Sequence, residues 1–230
     1  MRTSSHSSTR QPAATWNVCI HGESGTGKEL IARAIHYASP RRDRPLITLD
    51  CTTIPGRPHG EPPLRSCKRS VFTGATKHRE GVFSLAHTGT LFIDELGELS
   101  PRLQAKLLRV VQTREFSKVG GSKPIRTDIR LITATHTDLK AAVAQCTFRE
   151  DLYYRVAVFM IKVPALRERA EDIPLLINHF LRKFSATYGK PVMRVAPSTL
   201  ARLIALPWPG NVRQVENFSS RPSFSPRATR

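Results

Sequence analysis

No stretch of the 230 residues approaches the roughly 20 consecutive apolar residues that a membrane-spanning helix needs. The opening residues, MRTSSHSSTRQPAAT, hold no apolar run, which excludes reading them as a secretory signal. Cysteine is scarce: Cys19, Cys51, Cys67 and Cys146 are scattered without a CxxC pair. That excludes a disulfide framework or a paired-cysteine zinc site and fits a reducing cytoplasm. Acid is scarce too, 18 Asp and Glu against 36 Lys and Arg, for a formal charge of +18. Such a surplus suits phosphate backbones. However, residues 1–16, 56–80 and 218–230 contribute +2, +4 and +3, half of the excess, and all three read as irregular. Charge alone therefore does not establish a nucleic-acid partner, and no aromatic and basic groove for single strands is evident.

What is present is a pattern of alternating elements. Val18-Cys19-Ile20 is a short apolar run that meets a glycine-rich turn, after which Leu30, Ile31, Ala34, Ile35 and Ala38 fall at helical spacing. Further buried strands are expected at Leu46–Leu49, Leu91–Ile93, Ile129–Ala134 and Phe159–Val163. Pro101–Gln112 reads as a helix, with proline at its start and Leu103, Leu107, Leu108 and Val111 on one face. Strands alternating with helices imply an α/β fold around a mostly parallel, doubly covered sheet. From Pro164 onward the strand signals stop, and Ile173–Phe184 and Ser198–Leu206 read as helices of a small all-helical lobe. The expected division is a tail over 1–15, an α/β unit over 16–163, a helical unit over 164–217 and a tail over 218–230.

Two motifs carry chemistry. Gly22, Glu23, Ser24, Gly25, Thr26, Gly27 and Lys28 fit G-x-x-x-x-G-K between a strand and a helix. Glycines let backbone N–H groups turn around phosphates, the helix N-terminus adds positive potential, and the lysine reaches the outer phosphates. Glu29 follows, where Ser or Thr usually touches Mg²⁺, so the metal must lean on other ligands. Thr90-Leu-Phe-Ile-Asp94-Glu95 is an apolar strand that delivers two carboxylates at its end, beside the phosphate loop of an open sheet. Asp94 is the candidate for holding Mg²⁺, through water, and Glu95 for polarising the attacking water. No Asn-Lys-x-Asp guanine-reading motif occurs, which disfavours GTP.

Four further segments carry a resemblance. Phe72, Thr73, Gly74 and Ala75 look like the second half of a GAFTGA loop; Phe148–Arg155 looks like FRxDLYYR; Trp208–Arg213 is WPGNVR; and Gly22–Glu29 is GESGTGKE. Together they resemble the AAA+ sigma-54 interaction domain of bacterial enhancer-binding transcriptional activators, from about Asn17 to Pro55 and from Val71 to Asn217. The resemblance implies a P-loop NTPase fold with a helical lid. It also implies ATP and Mg²⁺ as cofactors, a hexameric ring, and sigma-54 factor as the partner touched by Phe72–Ala75. On the same ground Arg149 and Arg155 resemble arginine fingers acting on a neighbouring subunit's nucleotide. Thr135 resembles a γ-phosphate sensor, followed by His136 where Asn is usual, and Arg213 resembles a nucleotide-sensing lid arginine. Asp50 stands at a switch position where the family has Asn, which removes an amide donor toward Glu95.

Residues 56–71 do not resemble the family: Pro58, Pro62 and Pro63 forbid the regular helix expected there, and Ser70-Val71 replaces Gly-Ala. The abrupt loss and return of similarity is what a short reading-frame slip would leave. The segments before Trp16 and after Asn217 depart as sharply, so neither a sensory domain nor a DNA-binding helix-turn-helix is expected within this chain. Three readings follow: an ATPase that remodels sigma-54 polymerase, a non-catalytic remnant of one, and a DNA-acting AAA+ motor.

Overall fold

A computed structural model describes residues 16–53, 81–117, 123–188 and 195–220. Segment 56–71 and the Phe72–Ala75 loop lie outside the described residues. Five strands form one parallel sheet: β1 (Val18–His21), β2 (Leu46–Asp50), β3 (Thr90–Asp94), β6 (Arg130–Thr135) and β7 (Phe159–Lys162), in the order β2-β3-β6-β1-β7. The short strands β4 (Glu115–Ser117) and β5 (Pro124–Arg126) pair antiparallel as a separate ribbon, which the sequence reading missed because three-residue strands carry no periodicity.

Alternation along the strands sorts side chains to two cores, as a period of two requires. Val18, Ile20, Phe92, Ile132 and Ala134 face helix α1 (Lys28–Tyr37), packing on Ala32 with Ile31 and Ile35 beside it. Cys19, Leu49, Leu91, Ile93 and Leu131 face the opposite layer. That layer holds α2 (Val82–Leu85), α3 (Pro101–Thr113), α4 (Leu139–Ala144) and α5 (Glu150–Val156). Phe92, Ile20, Leu91, Ile93 and Ile132 are each buried almost completely, a stabilisation of roughly 1.5–3 kcal/mol apiece. The α1 face differs from expectation: Leu30, Ala34 and Ala38 are exposed, and the buried positions are Lys28, Ala32 and His36. His36 is tolerated there because its Nδ1 meets Thr90 Oγ1 at 2.9 Å. In α3 the buried polar residue is Gln104, whose amide donates to Leu99 O and Thr147 O while its Oε1 accepts the Arg149 N–H.

After β7 the chain enters the helical unit of α6 (Ile173–Tyr188), α7 (Pro197–Ile204) and α8 (Asn211–Ser219). Its own core gathers Leu166, Ile173, Ile177, Phe180, Leu181, Leu203, Trp208 and Val215. Trp208 anchors the turn into α8: its indole N–H donates to Leu203 O at 2.9 Å and its ring meets Phe218 edge-on at 5.7 Å. The architecture is an α/β P-loop NTPase of the AAA+ class, with a parallel sheet between helical layers and a C-terminal helical lid. No described helix is long and apolar enough to cross a membrane.

Several basic groups form ion pairs within the chain. Arg41 and Arg114 converge on Asp128, Arg33 pairs with Glu29, Arg149 with Asp151, Arg167 with Glu23 and Lys183 with Glu216.

Truncating the lid's anchor should uncouple that unit. Trp208→Ala is expected to cost about 3 kcal/mol, read as a lower urea midpoint by circular dichroism, and an unchanged midpoint would contradict the packing described.

Candidate functional site

The site lies at the C-terminal end of the sheet, where β1, β3 and β6 run out side by side. After His21 the chain turns sharply: the Gly22 N–H donates to Thr135 O at 3.2 Å, tying the start of the loop to β6. Gly25 and Gly27 adopt left-handed backbone, with φ of 79° and 96°, conformations that side chains disfavour. Between them Thr26 is buried, its hydroxyl donating to Glu23 O at 2.8 Å, so the loop closes on itself. The loop then delivers its peptide N–H groups and Lys28 to the first turn of α1.

Lys28 is 6% exposed, and its ammonium donates to Gly22 O at 2.9 Å and Glu23 O at 3.3 Å. It also lies 3.6 Å from Glu95 Oε1. The carboxylate two strands away is therefore electrostatically joined to the phosphate loop. Glu95 itself has φ 54°, a left-handed conformation costly for a residue with a side chain and typical of functional turns. Its other oxygen, Oε2, is held by His136: the ring Nδ1 is 2.6 Å away and the His136 N–H donates at 3.3 Å. Sequence reading noted His136 only as a departure; the structure puts it directly on Glu95.

Asp94 accepts the Glu95 N–H through Oδ1 at 3.0 Å. Burial lifts its carboxyl above the usual aspartate range, neighbouring Glu95 and Asp50 add to the lift, and the Glu95 N–H and Lys28 oppose it. A divalent cation would relieve this crowding of negative charge. Among the described residues no group of three His, Cys, Asp or Glu could hold a metal, so Asp94 would share the ion with phosphate oxygens and water. Asp50 sits in register with Asp94, and its Oδ1 accepts from the N–H and hydroxyl of Thr52 at 2.9 and 2.7 Å.

Thr135 is buried at the end of β6, with its hydroxyl oxygen accepting the Thr137 N–H. Glu29 turns outward on α1 to pair with Arg33. Arg149 caps the start of α5 and is clamped by Asp151 through two bonds of 2.7 and 3.0 Å, while Arg155 lies in the last turn of that helix. Among the described contacts neither arginine reaches this chain's own phosphate loop.

The lid contributes more than Arg213, whose N–H donates to Gly25 O and whose guanidinium touches Ser24 Oγ at 3.5 Å. Arg167 grips Glu23 with two bonds of 2.6 and 3.0 Å, Asn211 Nδ2 donates to Glu23 Oε2 and Ser24 O, and Arg169 donates to Thr26 O. Sequence reading missed Arg167 and Arg169. The available signal was Glu23 itself, since an acid inside a phosphate loop demands a cationic partner that turns it away from the phosphates. Its carboxyl is accordingly held down to about 2, first by the Arg167 bond and then by Asn211.

Comparison with known proteins places the geometry. The sigma-54 interaction domain matches residues 1–162, and the AAA+ ATPase lid domain matches residues 167–224. The chain is 52% identical over 202 residues to the Nif-specific regulatory protein of Herbaspirillum seropedicae, covering 88% of this chain and 37% of that protein. It is 50% identical over 204 residues to the transcriptional regulatory protein ZraR of Salmonella typhimurium, covering 89% and 46%. The structure of NtrX from Brucella abortus in complex with ADP superposes with a TM-score of 0.81 at 36% identity, covering 91% of this chain and 46% of that one. The chain thus spans less than half the length of these relatives. A glycine loop closed on Lys28, a strand end carrying Asp94 and Glu95, and a lid seated on the loop agree with these matches: the chain belongs to the sigma-54 interaction domain family of AAA+ proteins.

Proposed function

We propose that this chain binds ATP with Mg²⁺ and hydrolyses it, and that as part of a ring it uses the cycle to remodel sigma-54 RNA polymerase for transcription initiation. The observation that carries the reading is the meeting of Lys28 with Glu95 at 3.6 Å across the phosphate loop. Loop amides of Gly22–Lys28 receive the phosphates, and Lys28 exchanges its hold on Gly22 O and Glu23 O for phosphate oxygens. Asp94 would hold the cation that accompanies the nucleotide, and a cation there would supply positive charge to the outer phosphates. As Lys28 leaves, Glu95 Oε1 is freed to orient water while His136 keeps Oε2 in place. Thr135 closes the same side, and Arg213 reports the nucleotide to the lid.

Arg149, just before α5, and Arg155, in its last turn, supply cations to the neighbouring subunit's γ-phosphate, as a ring requires. The Phe72–Ala75 segment contacts sigma-54 factor, an engagement that follows the nucleotide state of the ring. Support for this partner comes from the family to which the chain belongs and from the segment's FTGA residues. The family match supports sigma-54 factor rather than DNA as the partner, against a DNA-acting motor.

Steady-state turnover of the purified chain with Mg²⁺ is the direct test. Lys28→Ala should abolish nucleotide binding, whereas Glu95→Gln should keep it and lower turnover by about 10²-fold or more; wild-type turnover no higher than that of Lys28→Ala would favour a non-catalytic remnant. His136→Ala should lower kcat by about tenfold with nucleotide affinity retained, and His136→Asn should recover part of it. Light scattering with an ATP analogue should show a ring; a chain that stays monomeric would contradict the trans role of Arg149 and Arg155.

A further inference from the structure

Four consecutive residues of the phosphate loop offer acceptors to the lid. Glu23 receives Arg167 and Asn211, Ser24 O receives Asn211, Gly25 O receives the Arg213 N–H, and Thr26 O receives Arg169. The two backbones meet so closely that a Cβ on Gly25 would stand 2.4 Å from Gly210 O. Asn211 at the centre is fully buried and left-handed, with φ 51°, and its Oδ1 accepts the Leu166 N–H at 2.8 Å. One amide thereby joins the loop, the start of α8 and the segment leading into the lid. The site needs the loop N–H groups aimed inward, and these lid bonds hold the Ser24, Gly25 and Thr26 carbonyls toward the lid.

We propose that Glu23 is a positioning residue: by tying the phosphate loop to Arg167 and Asn211, it pre-shapes the loop for phosphate and makes lid docking and nucleotide grip rise and fall together. This deepens the reading of the site as an ATP site and rests on it. Glu23 touches no reacting atom in this scheme, and its role differs from that of Arg213, because the carboxylate bonds the lid residues Arg167 and Asn211 directly. Losing the tie lets the loop sample other shapes, so affinity falls for any nucleotide that fills the loop, ADP included. Turnover at saturation changes little, since bound nucleotide re-forms the loop.

The test uses the full chain and a fluorescent ADP, with amide hydrogen exchange read at Leu166 and Arg213. Glu23→Ala and Arg167→Ala should each weaken ADP binding by about tenfold, the double variant should be no weaker than either, and kcat at saturation in Arg167→Ala should stay within about twofold. Glu23→Gln, which keeps the Asn211 bond, should fall between and guards against an unfolded alanine variant. Exchange at Leu166 and Arg213 should rise in Glu23→Ala. Wild-type affinity with wild-type exchange in Glu23→Ala and Glu23→Gln overturns the latch, as does loss confined to kcat. A wild-type chain that binds no ADP overturns the ATP site and the coupling, while the exchange data still decide whether Glu23 holds the lid.

Discussion

The structure turns on a buried ammonium. Lys28 is 6% exposed, and a cation so enclosed is tolerable only with acceptors around it. Two carbonyls of its own loop and the carboxylate of Glu95 supply them. This requirement explains why the glycine loop curls back on itself, why β3 must end beside it, and why Glu95 accepts a left-handed backbone. Incoming phosphate oxygens offer the ammonium a better set of acceptors than carbonyls do, because they carry negative charge.

From that centre the sheet order follows. β1 carries the loop, β6 takes the Gly22 N–H, and β3 brings Asp94 and Glu95, so chemistry assembles where the strands end and the chain diverges. The lid completes the enclosure from the other side by bonding to the outer surface of the same loop. A single eight-residue motif is thus held by three strands and a separate helical unit. Its shape is over-determined, which is how two left-handed glycines and an acid persist next to an anion site.

Most of this was legible in the sequence. The strand-loop-helix unit, the acidic strand end and the helical C-terminal unit follow from apolar runs, glycine placement and periodicity. What escaped was what only three-dimensional packing decides. The exposed side of α1 includes Leu30, an apolar residue that spacing assigns to the core. Gln104 looks like a surface residue of α3, yet it is buried because it satisfies Leu99 O, Thr147 O and the Arg149 N–H. Arg167 and Glu23 are 144 positions apart, and no local pattern pairs them. His136 read as a departure from a family pattern, but its consequence, a hydrogen bond on Glu95, needed the ends of β3 and β6 to be placed.

The most direct measurement is a structure of this chain with a non-hydrolysable ATP analogue and Mg²⁺. The expected result has the outer phosphates inside the Gly22–Lys28 turn, the Lys28 ammonium moved off Gly22 O onto phosphate oxygens, and the cation facing Asp94. A nucleotide bound elsewhere, or a Lys28 still seated on the loop carbonyls with phosphate present, would contradict the central role given to that ammonium.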